Sequence, residues 1–255
     1  MSKLVPYLGG KRLLAKTIVK LLPPHELYCE VFGGSATILL EKSVSKIEIL
    51  NDLNGEVINL FRVVQNHIEE FIRQVRWTII SRDEFERQKA LHTESLTDIQ
   101  RAVRLYYLLR GGYAGKLGSP SFGAKSFPLS RVEESLIETH QRLENVIFEN
   151  LPYEKCIEKF DRKEALFYID PPYWGCEGDY GKGLFAREDF EKIRNILQKL
   201  KGQCILSLND RPEVREMFAG FEMVTTKLNY SAAKDKGKEA SELLICNFLV
   251  PKNLG

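Results

Sequence analysis

Residues 167–173 read Phe-Tyr-Ile-Asp-Pro-Pro-Tyr. An apolar run ends in a carboxylate, two prolines stop a helix or central strand from continuing, and an aromatic ring follows. Proline fixes φ and contributes a carbonyl without an N–H. Asp170 and the Pro171 carbonyl are therefore acceptors converging at a strand end, a point that suits an amino group with hydrogens to donate. Tyr173 offers a flat face for stacking on a planar base, a role that needs no hydroxyl. On a plainer reading, the acid ends the strand and caps the next helix.

Two other stretches carry similar chemistry. Glu30-Val31-Phe32-Gly33-Gly34-Ser35-Ala36 follows an apolar run and opens a helix, and glycines there let a ligand approach the backbone at the carboxyl end of a strand. The next apolar run ends in Asn51-Asp52, about 20 residues on, where an acid can accept both hydroxyls of a ribose or cap a helix starting near Asn54. The turn is neither G-x-G-x-x-G nor a P-loop, which disfavours NAD and nucleoside triphosphates. Near the N-terminus, Pro6-Tyr7-Leu8-Gly9-Gly10-Lys11-Arg12 reads either as a frayed terminus or as the wall of a polar pocket. Residues 174–183 carry four glycines with Trp174 and Tyr180, the composition of a linker or of a loop that closes on substrate.

The elements that must hold these residues are legible as alternating patterns. Short β-rich apolar runs occur at Leu27–Phe32, Ile47–Leu50, Val146–Phe148, Ala165–Ile169, Cys204–Leu208, Met223–Leu228 and Leu243–Val250. Helical periods lie between most of them, as in Phe190, Ile193, Leu197 and Leu200, which predicts a mainly parallel sheet covered on both faces. Only a polar, Lys-rich stretch separates the last two runs, so they are expected to form an antiparallel hairpin at the sheet's edge.

With 255 residues and 44% hydrophobic composition, the chain holds one sizeable core or a core with a smaller appended unit. No apolar run approaches 20 residues, so a soluble, cytoplasmic protein with no membrane association is expected. The five cysteines are scattered with no C-x-x-C, which predicts reduced thiols and no metal site.

From about Val57 to Arg142 there are helical patterns and a glycine-rich loop but no convincing parallel strand. Between residues 73 and 131 eleven cations face five acids, a net +6, which leaves −4 for the rest of a chain whose total is +2. That asymmetry fits a phosphate-facing module inserted into a near-neutral core domain; a solvated helical subdomain is the alternative.

Taken together and in order, Tyr7 to Lys11, Phe32 to Ser35, Asn51-Asp52, the basic insert and Asp170 to Tyr173 resemble the DNA adenine-N6 methyltransferases of the alpha group, relatives of DNA adenine methylase. Cys204–Asp210 and Ser241–Ile245 are similar to later stretches of that family, and the resemblance covers nearly the whole chain. It implies a Rossmann-like α/β fold that binds S-adenosylmethionine, with a catalytic domain over 1–56 and 143–255. A mainly helical target-recognition domain is implied over 57–142. It implies that Tyr7, Lys11, Phe32, Gly33, Gly34, Asp52 and Asp170 contact S-adenosylmethionine. It further implies that Asp170 and Pro171 accept hydrogen bonds from the target amine and that Tyr173 stacks on the flipped base. Val31 stands where the family pattern has proline, and the turn is one residue shorter. Double-stranded DNA is the implied substrate and the enzyme is expected to be a monomer; the resemblance leaves open whether a cognate restriction endonuclease accompanies it or whether it is an orphan or phage-borne enzyme.

For DNA contact, the polar residues of the insert are Arg101, Arg104, Arg110, Lys116, Ser119, Ser121 and Lys125. Family members that read GATC carry R-Y-N-x-x-G-x-F-N-V-P-F-G on a β-hairpin. Here Leu109–Gly123 keeps Phe122-Gly123 but no asparagine, which implies a target that is not strictly GATC. Arg and Lys pair best with guanine, so at least one G·C pair is expected in it. Rival readings are an acceptor of another kind (cytosine N4, an RNA base, a glutamine amide) and a DNA-binding module that lacks activity. No proline precedes a cysteine, so the nucleophile of cytosine C5 methylation is absent.

Overall fold

In a computed structural model, residues 4, 5, 11, 13–113, 120–123, 129–180, 183–228 and 240–250 are described. The strands are β1 (Leu27–Glu30), β2 (Ile47–Asn51), β3 (Val146–Glu149), β4 (Ala165–Ile169), β5 (Gln203–Asn209), β6 (Glu222–Leu228) and β7 (Ala240–Cys246). They form one sheet in the order β3-β2-β1-β4-β5-β7-β6. The first five strands pair in parallel, and β7 is antiparallel to both β5 and β6. This is the expected mainly parallel, Rossmann-like sheet with an antiparallel terminal hairpin. The hairpin lies at the edge, with its second strand on the inside. β7 stops at Cys246 rather than running to Val250. Asn247 ends the ladder: its side chain accepts from the Cys204 amide at 2.8 Å and donates to the Gly202 carbonyl at 2.9 Å.

Alternate residues of each strand enter opposite faces. Tyr28, Leu166, Tyr168, Ile205 and Leu244 pack on one side, and Cys29, Ile49, Phe167, Ile169, Leu206 and Ile245 on the other. The second face is covered by α8 (Tyr153–Phe160), α9 (Arg187–Leu197) and α10 (Pro212–Met217) through Cys156, Phe190, Ile193 and Val214. The first is covered by α1 (Ala15–Leu21), α2 (Thr37–Glu41), α3 (Gly55–Asn66) and α7 (Leu129–Leu143).

Between β2 and β3 the described residues hold α3, α4 (Ile68–Arg76), α5 (Arg82–Ala90), a 3-10 turn (Thr93–Ser95), α6 (Asp98–Gly111) and α7, and no strand of the sheet. Phe61 of α3 stacks on Phe148 of β3 with centroids 6.1 Å apart. At the far end of α7, Arg142 is buried and donates to Glu48 of β2 at 2.5 Å and to the Leu39 carbonyl at 2.6 Å. A charge this deep is stable only because it is paired and hydrogen-bonded, and the pair ties the end of α7 to the sheet. Among the described residues, one isolated antiparallel bridge follows α6, between Gly112 and Phe122.

Candidate active site

Strand order places the site. From β1 the chain winds outward to β2 and β3, whereas β4 leads to β5 on the opposite side, so the crossovers diverge between β1 and β4. A crevice opens there at the carboxyl ends of parallel strands, where open α/β sheets bind ligands. A cleft of about 790 Å³, its mouth included, is lined there by Lys11, Glu30, the 32–35 turn, Asp52, Leu53, Tyr168, Asp170, Pro172 and Phe185, among others.

The turn after β1 is pressed against β2. The Gly33 amide donates to the Asn51 carbonyl at 2.7 Å, and a Cβ on Gly33 would lie 2.9 Å from that same oxygen. Gly34 then takes φ 48°, and Ala36 follows at φ 51°, the left-handed region that glycine enters most readily. Asp52 Oδ2 accepts the Gly34 amide at 2.8 Å and Oδ1 the Asn54 amide at 2.8 Å. Burial raises the Asp52 carboxyl's pKa, and the two amides pull it back. The cap of α3 is Asn54, whose side chain accepts from the Glu56 amide. Asp52 therefore braces the turn and is not the helix cap.

At the end of β4, Asp170 does not stand alone. Lys11 Nζ lies 2.7 Å from Asp170 Oδ1 and 3.0 Å from Glu242 Oε1 of β7. It also donates to the Tyr173 hydroxyl at 2.8 Å, and that hydroxyl donates to Glu242 Oε2 at 2.7 Å. The Lys11 side chain is 4% exposed, that of Glu242 2% and that of Asp170 20%. Burial opposes the Lys11 charge, but Asp170 and Glu242 outweigh it and hold the ammonium above its ordinary pKa. Burial pushes Asp170 up to about 6; Lys11 lowers it and Glu242 raises it. Glu30 is driven up to about 8 by burial, although it accepts the Leu39 amide and the Tyr28 hydroxyl.

Of the residues picked out from sequence, Lys11, Phe32, Gly33, Gly34, Asp52 and Asp170 share this cleft, and Tyr173 borders it through Lys11. Pro171 is buried, and Pro172 rather than Pro171 lines the cleft. The Tyr173 hydroxyl, expected to be idle, is engaged with Lys11 and Glu242. The chain is also fixed just past Tyr173. Asn209 bonds both backbone groups of Trp174 at 3.0 Å, and the Trp174 ring lies 3.9 Å from the Arg187 guanidinium. The expected closing loop extends beyond this anchor to residues 181 and 182, which lie outside the described residues, as do Tyr7, Lys116, Ser119 and Lys125.

Sequence reading assigned no individual role to Glu30, Tyr168 or Glu242. A usable signal existed for Glu242, since a single acid within the run Ser241–Ile245 has to be buried and therefore partnered. In the insert, Arg101 pairs with Glu56 and with Asp98. Arg104 donates to the Gln88 and Lys89 carbonyls at 2.6 and 3.1 Å. Both guanidinia, expected from sequence to contact DNA, have partners within the protein as well. Arg110 lies 5.4 Å over the Tyr106 ring, and Ser121 is exposed next to the Gly112–Phe122 bridge.

Comparison with known proteins agrees with this geometry. The family described as D12 class N6 adenine-specific DNA methyltransferase matches residues 7–232. The chain is 22% identical to the type II methyltransferase M.CviBI of Paramecium bursaria Chlorella virus NC1A, over 95% of this chain and 96% of that one. It is 22% identical to the retron Ec67 DNA adenine methylase of Escherichia coli, over 96% and 90% of the two chains. It is 25% identical to the DNA adenine methylase of Escherichia coli strain K12, over 92% and 91%. A sheet whose switch point gathers a carboxylate, a lysine and a glycine turn, in a chain matched almost end to end, thus belongs to the D12 class of N6 adenine-specific DNA methyltransferases.

Proposed function

We propose that this adenine-specific DNA methyltransferase works on a base taken out of the duplex and presented to Asp170 at the β1/β4 switch point. The supporting observation is the Asp170–Lys11–Tyr173–Glu242 cluster, whose Asp170 and Lys11 line the cleft. A stacked adenine cannot reach a group recessed among strand ends, so the base has to be extruded.

The donor of this family, S-adenosylmethionine, supplies an electrophilic methyl group on a sulfonium. The cleft suits it: Asp52 offers carboxylate oxygens at the end of β2, Phe32, Leu53 and Phe185 supply apolar walls, and the Tyr168 hydroxyl is buried without a hydrogen-bond partner. Lys11, Phe32, Gly33, Gly34 and Asp52 would hold it. An exocyclic amine is a poor nucleophile because its lone pair is delocalised into the ring. Asp170, ionised above about pH 6, accepts one N6 hydrogen and favours a more tetrahedral nitrogen with its lone pair directed at the methyl. The protein contributes placement and fixed charge, and needs no covalent intermediate.

Replacing Asp52 with alanine is expected to weaken S-adenosylmethionine binding about tenfold or more while DNA affinity stays within a factor of about two. Calorimetry with each ligand checks this, and unchanged cofactor affinity removes the ribose assignment.

The insert over 57–142 is the proposed DNA-recognition unit, supported by its net positive charge. DNA affinity should fall linearly in log–log form with salt. Arg110→Glu and Lys116→Glu are each expected to flatten that slope by about one. Arg101→Glu and Arg104→Glu should instead lower the melting temperature, because they break internal staples.

The reaction itself is tested by expressing the chain in a host without adenine methylation and mapping modified bases by long-read sequencing. N6-methyladenine at a recurring short motif, not confined to GATC and containing a G·C pair, is expected. Modified cytosine alone would overturn the assignment.

A further inference from the structure

Glu242 does more than fill a place in β7. It sits in the middle of an antiparallel ladder, opposite Asn209 on β5 and Thr226 on β6, and is 1% exposed. A carboxylate so buried needs partners for both oxygens, and here every partner bears on the proposed chemistry. Oε1 accepts the Ser207 hydroxyl at 2.6 Å and lies 3.0 Å from Lys11 Nζ. Oε2 accepts the Tyr173 hydroxyl at 2.7 Å. One ammonium thus serves two carboxylates, Asp170 and Glu242, and one hydroxyl links it to the ring that follows the two prolines.

Two consequences follow from that arrangement. Lys11 divided between two anions leaves Asp170 less neutralised than an exclusive pair would, so Asp170 remains an acceptor for an incoming amine. Tyr173, anchored by its hydroxyl, has its ring plane fixed before any base arrives, which is preorganisation.

We propose that Glu242 is a positioning residue for methyl transfer, acting through Lys11 and the Tyr173 hydroxyl to hold the Asp170 carboxylate and the Tyr173 ring where the target amine meets them. The proposal rests on the reading that Asp170 accepts from that amine. The groups acting on Asp170 are Lys11 before α1, Glu30 on β1, Tyr168 on β4 and Glu242 on β7, and Tyr173 and Ser207 act on Glu242.

The test uses the full chain with duplex DNA and labelled S-adenosylmethionine, following the single-turnover rate from about pH 5 to 9. Glu242→Gln keeps the shape and removes the charge. Its rate is expected to fall about tenfold or more, with cofactor affinity within about twofold. The acid limb should move to lower pH, because the neighbour that raises the Asp170 carboxyl is gone. Tyr173→Phe should lose rate to a similar extent, and the double variant should be no slower than the worse single by more than about twofold, since the two act as one unit. A Glu242→Gln enzyme with more than half the wild-type rate and an unmoved acid limb overturns the proposal, as do multiplicative losses in the double variant. If Glu242→Gln does not fold, Tyr173→Phe decides: wild-type rate in that variant overturns the proposal as well. An active Asp170→Ala enzyme would instead overturn the underlying site reading, so the two failures are distinguishable.

Discussion

An Asp170→Ala enzyme is expected to lose methyl transfer to DNA by at least about a hundredfold, the scale at which removing one preorganised polar group from a reaction centre is felt. The protein should remain folded. Asp170 lies at a strand end, 20% exposed, and contributes nothing to the apolar packing of β4. Its carboxyl titrates near 6 in the fold, above the ordinary aspartate value near 4. Ionising it therefore weakens the fold as pH rises from about 4 to about 6, while its pairing with Lys11 holds that ammonium charged. Lys11 keeps Glu242 as a counter-ion in the variant. Circular dichroism, a melting curve and single-turnover rates check the prediction together. A variant with more than a few per cent of wild-type rate would remove Asp170 from the chemistry, and a collapsed melting curve would make its role structural.

Tyr173→Ala carries the second large effect. The ring contributes stacking worth about 1–3 kcal/mol per base, which is about 5- to 150-fold in rate if it is felt in the transition state. The hydroxyl contributes by tying Lys11 to Glu242. Alanine removes both, so a loss of about a hundredfold or more is expected. Phenylalanine keeps the ring and loses only the tie, so its loss should be smaller, about tenfold. Rates of the three proteins on one duplex check this ordering. Alanine and phenylalanine variants that were equally slow would assign the whole effect to the hydroxyl and none to stacking.

Much of the architecture was legible because it is local. Each of the seven strands matches an apolar run, and the helices between β2 and β3 show as a stretch where the strand pattern stops. The site was legible where it follows a strand: Asp170 after β4, the glycine turn after β1, Asp52 after β2. Partnerships across the sheet were not. Lys11 and Glu242 are 231 residues apart and meet only because β7 enters the sheet between β5 and β6, a placement that periodicity does not record. The guanidinia of Arg101 and Arg104 illustrate the same limit, since their charge is visible in sequence and their carboxylate and carbonyl partners are not. Asn247 ends β7 by hydrogen bonds to residues 43 and 45 positions away, so the apolar Phe248 and Val250 beyond it suggested more strand than exists.

The most direct measurement is the structure of the enzyme with a non-reactive analogue of S-adenosylmethionine and a duplex containing its target. An adenine should stand outside the helix, its N6 within about 3 Å of an Asp170 oxygen, a hydrogen-bonding distance, and its ring against Tyr173. A target base still stacked in the duplex, or an extruded base whose amine meets other groups while Asp170 stays locked on Lys11, would contradict the account.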